Sequence, residues 1–210
     1  MLDSPLVLVV DDEALVRQSL DSLLRSVGYS VQIFGSTQEL SDFGGLADAN
    51  CLILDVRLPF SSGLDFQQWL AERNVSVPIV FITGHGDIPM SVRAMKAGAA
   101  DFISKPFRDQ DILDAVREAV AKDVAARNAD KAVVEIRDRY AHLSAREKQI
   151  MAMATAGLMN KQIAGELGLS EITVKIHRGK ISRKMMAKTF ADLVRMAEAL
   201  GLSRQDNSVR

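Results

Sequence analysis

The stretch Leu6-Val7-Leu8-Val9-Val10-Asp11-Asp12-Glu13 decides the fold. Five aliphatic residues in succession leave a strand no polar face, which suits a parallel strand covered on both sides. Three acids follow at once. A helical pattern then runs from Glu13 to Val27, with Leu15, Val16, Ser19, Leu20, Leu23 and Leu24 on one face. The same alternation recurs down the first half of the chain. Ser30–Phe34, Cys51–Leu54, Ile79–Ile82 and Asp101–Ser104 read as strands. Ser36–Phe43, Ser62–Arg73, Ile88–Ala97 and the segment from Asp109 onward read as helices. Five such βα units predict an α/β doubly wound, five-stranded parallel sheet.

The rest of the chain is different. Of 210 residues, 26 are Lys or Arg and 27 are Asp or Glu, for a net charge of −1. That balance excludes a uniformly basic nucleic-acid coat and a disordered acidic tail. It hides an asymmetry. Residues 1–122 carry 17 acids and 10 bases, net −7; residues 123–140 are neutral; residues 141–210 carry 6 acids and 12 bases, net +6. All five prolines lie in the first segment, and the last reads as helix throughout. The expected organisation is a sheet domain over 1–122, a helical linker over 123–140 and an all-α domain over 141–210. The linker has no Gly or Pro and no clean heptad; a helical connector and a short dimerising coiled coil are both compatible with it.

Cys51 is the only cysteine and lies in an apolar run, which predicts a buried, inert thiol. The longest aliphatic run is far short of the roughly 20 residues that span a bilayer, and no signal peptide is apparent. The expectation is a cytoplasmic protein with no membrane partner.

In an open parallel sheet, chemistry collects beyond the carboxyl ends of the strands. The first strand ends in Asp11-Asp12, the third in Asp55 and the fourth in Thr83, and the fifth is followed by Lys105-Pro106. With a strand order of 2-1-3-4-5, Asp11, Asp12 and Asp55 converge. Crowded carboxylates of this kind call for a hard divalent cation, and all-oxygen ligands suit Mg²⁺. Such a site can accept a phosphoryl group: a carboxylate oxygen attacks phosphorus, and an ammonium from Lys105 neutralises the equatorial oxygens. The Thr83 hydroxyl can then bond a phosphoryl oxygen. Singly, each feature has a plainer reading as a cap, a turn or a loop.

Residues 5–122 resemble the receiver domain of bacterial two-component response regulators. The run from Thr83 to Met90, with Val92-Arg93-Ala94-Met95-Lys96-Ala97-Gly98-Ala99 after it, resembles the FixJ-type subgroup. That resemblance implies Asp55 as the phosphorylated residue. It implies Mg²⁺ or Mn²⁺ held by Asp12, Asp11, Asp55 and the Arg57 backbone carbonyl, with Thr83 and Phe102 as a switch pair. It also implies a cis bond before Pro106 and a sensor histidine kinase as phosphodonor. Phe60 departs from the family, which often has Gly there. His85 reads as a loop residue.

Residues 143–200 carry a second signal. Ser144 and Glu147 form a capping box. A helix to about Ala156, a short helix Lys161–Leu167, the turn Gly168-Leu169-Ser170 and a helix from Glu171 to about Met185 make a helix-turn-helix. Ile172, Val174, Ile176 and Ile181 include the inward positions of the last of these, and Lys175, Arg178 and Ser182 share a face. A basic helix alone would be a solvated surface; the capped turn and the +6 charge favour DNA.

Ser144-Ala145-Arg146-Glu147, Asn160-Lys161-Gln162-Ile163-Ala164, Leu167-Gly168-Leu169-Ser170 and Thr173-Val174-Lys175-Ile176-His177 resemble the LuxR-type helix-turn-helix domain. The resemblance implies Lys161, Thr173, Val174, Lys175, His177 and Arg178 as contacts to double-stranded promoter DNA. It implies a transcription regulator that forms a homodimer on phosphorylation and engages RNA polymerase. It implies no enzymatic turnover beyond slow loss of its own phosphate. A helix over Phe190–Leu200 follows, whose Leu193, Val194, Ala197 and Leu200 serve either a dimer or the core. Two other readings are an aspartyl-phosphate phosphatase, for which no cap insertion is present, and a regulator that works without phosphate.

Overall fold

The structure is a computed structural model, and it describes residues 4–59, 61–84 and 88–202. Phe60, His85, Gly86 and Asp87 lie outside the described residues, with the expectations attached to them. The chain divides into two compact units, Met1–Ala126 and Arg127–Arg210.

The first unit is built on β1 (Leu6–Val10), β2 (Ser30–Phe34) and β3 (Cys51–Asp55). A small hairpin follows, β4 (Arg57–Leu58) against β5 (Ser61–Ser62), and then β6 (Ile79–Thr83) and β7 (Asp101–Ser104). The main sheet has the order β2-β1-β3-β6-β7, and every neighbouring pair is parallel. This is the expected doubly wound sheet. The hairpin stands outside it and was not legible as strands.

Alternation along the strands assigns each face its helices. Leu8, Val10, Leu52, Leu54 and Phe81 point to one face. There they meet Leu40 of α2 (Thr37–Phe43), Phe66 and Leu70 of α3 (Gly63–Glu72) and Ala94 of α4 (Ile88–Lys96). Val7, Val9, Cys51, Ile53, Val80 and Ile82 point to the other. There they meet Leu20 and Leu24 of α1 (Ala14–Ser26) and Ile112, Val116 and Val120 of α5 (Asp109–Ala141). Cys51 is fully buried, and burial, with the charge of Asp123, pushes its thiol up to about 12. The stripe on α1 is narrower than the sequence suggests. Val16, Leu20, Leu23 and Leu24 pack on the sheet. Leu15, at 78% exposure, and Ser19 stand one residue off that row and face solvent.

Helix α5 continues without a break through residues 123–140. Asp123 is buried in the first unit and accepts a hydrogen bond from Asn50 Nδ2 (2.8 Å). Ile136 and Tyr140 pack against the core of the second unit.

That second core gathers Ile150, Met151 and Ala154 of α6 (Ala145–Thr155) and Ile163 and Ala164 of α7 (Asn160–Leu167). Val174, Ile181 and Met185 of α8 (Glu171–Met185) join them, with Leu193 and Ala197 of α9 (Phe190–Ala199). The capping box of Ser144 and Glu147 opens α6. Gly168 turns the chain between α7 and α8 in the left-handed region (φ +64°), where a side chain would be strained. Ser170 then caps α8 by accepting from the Thr173 N–H. Leu193, Ala197 and Leu200 pack this core, and Val194 is half-buried.

Candidate functional site

All five strands of the main sheet run in one direction, so their carboxyl ends share one edge. Asp11 follows β1, Asp55 ends β3, Thr83 ends β6, and Lys105 follows β7. Ligand oxygens of Asp11, Asp12 and Asp55 lie within 4.8 Å of one another. Asp11 and Asp55 are buried and Asp12 is exposed.

Lys105 reaches into this cluster. Its Nζ donates to Asp11 Oδ2 at 2.7 Å, to Asp55 Oδ2 at 2.7 Å and to Glu13 Oε1 at 3.3 Å. Burial raises the Asp11 carboxyl above its ordinary value, against the hydrogen bonds from Lys105 and the Glu13 N–H. For Lys105 burial works downward, but hydrogen bonds and charge from Asp11 and Asp55 outweigh it and hold the ammonium above the usual lysine range. A buried carboxylate therefore has one cation beside it and room for the charge of a second. Three hard oxygen donors at this spacing, one of them open to solvent, fit a divalent ion of the Mg²⁺ type.

The chain around Asp55 is fixed locally. Asp55 Oδ1 accepts the Arg57 N–H at 2.8 Å, which brings the Arg57 peptide beside the carboxylate. The Gly63 N–H donates to the Val56 carbonyl (2.9 Å). A Cβ at Gly63 would collide with the Asp55 main-chain oxygen, so the hairpin can fold this closely over β3 only with glycine there. Arg17 donates to the Asp11 carbonyl. The site reading from sequence left out Glu13, Arg17 and Gly63. Glu13 stood in the acidic triplet; the other two carried no signal of their own.

Thr83 is buried at the end of β6. Phe102 on the adjacent β7 is half-buried, its ring centroid 6.3 Å from that of Phe81. The Lys105–Pro106 bond is cis.

The second candidate surface is α8. Lys175, Ile176, Lys180 and Arg183 are exposed along it, and Ile176 is 54% exposed. Lys161 on α7 is exposed as well. Lys161, Lys175 and Lys180 have no partner among the described residues. Thr173 is half-buried and its hydroxyl bonds that of Ser170 (2.8 Å). His177 is half-buried, with Nδ1 buried and unpartnered among the described residues.

Two of the expected contacts point elsewhere. Val174 is fully buried in the core, so it cannot meet DNA. The apolar residues presented outward are Ile172 and Ile176, each two positions from Val174 and on the opposite side of the helix. Arg178 is half-buried and already engaged by Asn160. Lys184 is likewise committed, to Glu147 at 2.7 Å. That ion pair, then the Ser144 N–H, holds the Glu147 carboxyl down at about 2.

Residues 7–117 match the family described as response regulator receiver domain, and residues 141–197 match that of bacterial regulatory proteins, luxR family. The chain is a two-component response regulator. It is 54% identical over 198 residues to Nodulation protein W of Bradyrhizobium diazoefficiens, covering 94% of this chain and 87% of that protein. It is 40% identical over 208 residues to Transcriptional regulatory protein FixJ of Azorhizobium caulinodans, covering 99% of both. Among solved structures, response regulator StyR superposes with a TM-score of 0.81 at 43% identity, covering 93% of this chain and 98% of that one. The response regulator thus pairs a phosphoryl-accepting receiver domain with a DNA-binding domain, and its family is one of transcription regulators, not of enzymes. Among the described residues no helix is long and apolar enough to cross a membrane.

Proposed function

We propose that Asp55 is the phosphoacceptor and that its phosphorylation controls promoter binding through α8. One Asp55 oxygen attacks the phosphorus of a phosphohistidine on a sensor histidine kinase; the P–N bond breaks and the imidazole leaves. Lys105, now between Asp55 and Asp11, bonds the arriving phosphoryl oxygens. Asp11, Asp12, Asp55 and the Arg57 carbonyl would hold Mg²⁺ or Mn²⁺. When bound, that ion supplies positive charge to the transferring group. The contact that carries this reading is Lys105 Nζ at 2.7 Å from both Asp55 and Asp11, inside a cluster of three carboxylates.

Thr83 lies in register with Ser104, two residues beyond Phe102 on β7. Its hydroxyl donates to a phosphoryl oxygen, and Phe102 moves into the space vacated. Phosphate thereby favours one of two receiver states. Helix α4 presents Ile88, Val92 and Met95 to solvent, and this apolar surface supports a phosphorylation-dependent homodimer. In the second unit, Lys161, Thr173, Lys175 and His177 contact promoter DNA, and Ile176 meets base edges as an apolar residue can meet a thymine methyl. The protein works in the cytoplasm, and RNA polymerase is the further partner of the bound dimer.

The phosphoacceptor is tested by treating the protein with acetyl phosphate and Mg²⁺, reducing the acyl phosphate with borohydride and mapping the modified peptide by mass spectrometry. The modification belongs on the peptide containing Asp55. A modified peptide lacking Asp55 would overturn the assignment.

A further inference from the structure

Val174, Arg178, Ile181 and Met185 follow one another on α8 at spacings that form a single row of the helix. The other three are buried in the core of the second unit. Arg178 therefore leaves α8 on its packed side, opposite Ile176 and Lys180, with the exposed Lys175 one turn before it at the margin of that row. Its side chain reaches two other helices. Nη1 donates to Oδ1 of Asn160, the first residue of α7, at 2.7 Å. The guanidinium carbon stands 4.9 Å from the ring centroid of Phe190, the first residue of α9. A planar guanidinium can serve an amide oxygen at its edge and an aromatic ring on its face together; an ammonium cannot match both geometries.

We infer that Arg178 is a positioning residue for DNA binding, tying the starts of α7 and α9 to the middle of α8 and so setting where the recognition helix stands. The inference rests on the reading of α8 as the DNA-binding helix. It separates the basic residues of α8 into two groups. Lys175 and Lys180 are unpartnered and free to meet phosphates or bases. Arg178 is held within the protein, and its charge is already placed against an acceptor and a ring. Base readout depends on helix placement, whereas nonspecific phosphate attraction depends mainly on free charge. Loss of the clamp should therefore reduce discrimination between sequences and leave nonspecific affinity intact.

The test uses the full chain, treated throughout with acetyl phosphate and Mg²⁺, and two probes: a random-sequence duplex, and the duplex that the wild-type chain enriches from a random pool. Arg178→Ala, Arg178→Lys, Asn160→Ala and Lys175→Ala are compared across a salt series, at a temperature where circular dichroism shows each folded. The clamp predicts that Arg178→Lys, though still charged, loses affinity for the enriched duplex by about tenfold, the size of one mismatched base pair. Asn160→Ala should match it, and Asn160→Ala with Arg178→Ala should lose no more than either alone. Affinity for the random duplex and its salt slope should stay at wild-type values in these variants. Lys175→Ala should weaken both probes and lower the slope by about 0.9. Wild-type affinity in Arg178→Lys, or a slope lowered by about 0.9 in Arg178→Ala, would make Arg178 a phosphate contact and overturn the inference. If Arg178→Ala fails to fold, Arg178→Lys and Asn160→Ala still decide the question. A wild-type chain that is shown by mass to be phosphorylated and still enriches no duplex would overturn the DNA reading itself, and the clamp with it, before any variant is compared.

Discussion

Lys105 Nζ and Asp55 Oδ2 are 2.7 Å apart, although 50 residues separate them in the chain. The contact exists because β3, β6 and β7 are parallel neighbours whose carboxyl ends share one edge. Lys105 offsets charge that the cluster cannot disperse to solvent, since Asp11 is fully buried. Removing one partner of a buried pair leaves an uncompensated charge and typically costs about 3–5 kcal/mol. Lys105→Met is therefore expected to lower the melting temperature in EDTA, and Mg²⁺ should restore more of it than in the wild type. Thermal melts with and without Mg²⁺ check this; equal Mg²⁺ responses in the two proteins would contradict it.

Gly63 is fixed by its neighbour, not by its backbone angle. A methyl group there would press on the Asp55 carbonyl oxygen and on the Leu54 side chain. Gly63→Ala should destabilise the first unit by about 1–3 kcal/mol, the usual cost of overpacking. It should also slow labelling of Asp55 by acetyl phosphate. Urea unfolding followed by the fluorescence of Trp69, which packs from α3 against the core of the first unit, beside a labelling time course, measures both.

The outward and inward residues of α8 should separate cleanly by substitution. Val174→Ala removes buried methyl groups and should cost about 1–3 kcal/mol of stability. Ile176→Ala should leave stability within about 0.5 kcal/mol, as is usual for an exposed site. It should weaken binding to the enriched duplex. Melting curves and a binding titration on both variants decide this. Loss of DNA affinity in folded Val174→Ala with none in Ile176→Ala would reverse the assignment.

Glu147 links the capping box of α6 to Lys184 of α8. Its folded-state value, about 2, lies below the ordinary 4.5. A depressed carboxyl stabilises the fold above its unfolded value and loses that contribution as pH falls through the folded one. Between about pH 4.5 and 2 the second unit should progressively weaken. Glu147→Gln should flatten that dependence, as read from hydrogen exchange of the α6 amides. An unchanged pH profile in the variant would remove Glu147 from the account.

Much of this was legible in the sequence, for identifiable physical reasons. The strands are buried on both faces, so they appear as unbroken apolar runs, and parallel βα units fix which ends meet. That places Asp11, Asp55, Thr83 and Lys105 at one edge of the sheet from strand order alone. The hairpin Arg57–Leu58 with Ser61–Ser62 was not legible, because two-residue strands carry no periodicity. Direction on a helix was legible only in part. Ile172, Val174 and Ile176 alternate with polar residues, and only packing from α6, α7 and α9 decides that Val174 turns inward. Arg178 illustrates the same limit: sequence shows a charge on α8, and the fold shows that it faces Asn160 and Phe190.

The central claim is that phosphate on Asp55 controls the DNA-binding surface. The most direct measurement is affinity for the enriched duplex, with and without acetyl phosphate and Mg²⁺, in the wild type and in Asp55→Asn. The account predicts that acetyl phosphate tightens binding by the wild type and has no effect on Asp55→Asn. The same tightening in Asp55→Asn, or none in a wild-type protein shown by mass to be phosphorylated, would contradict it.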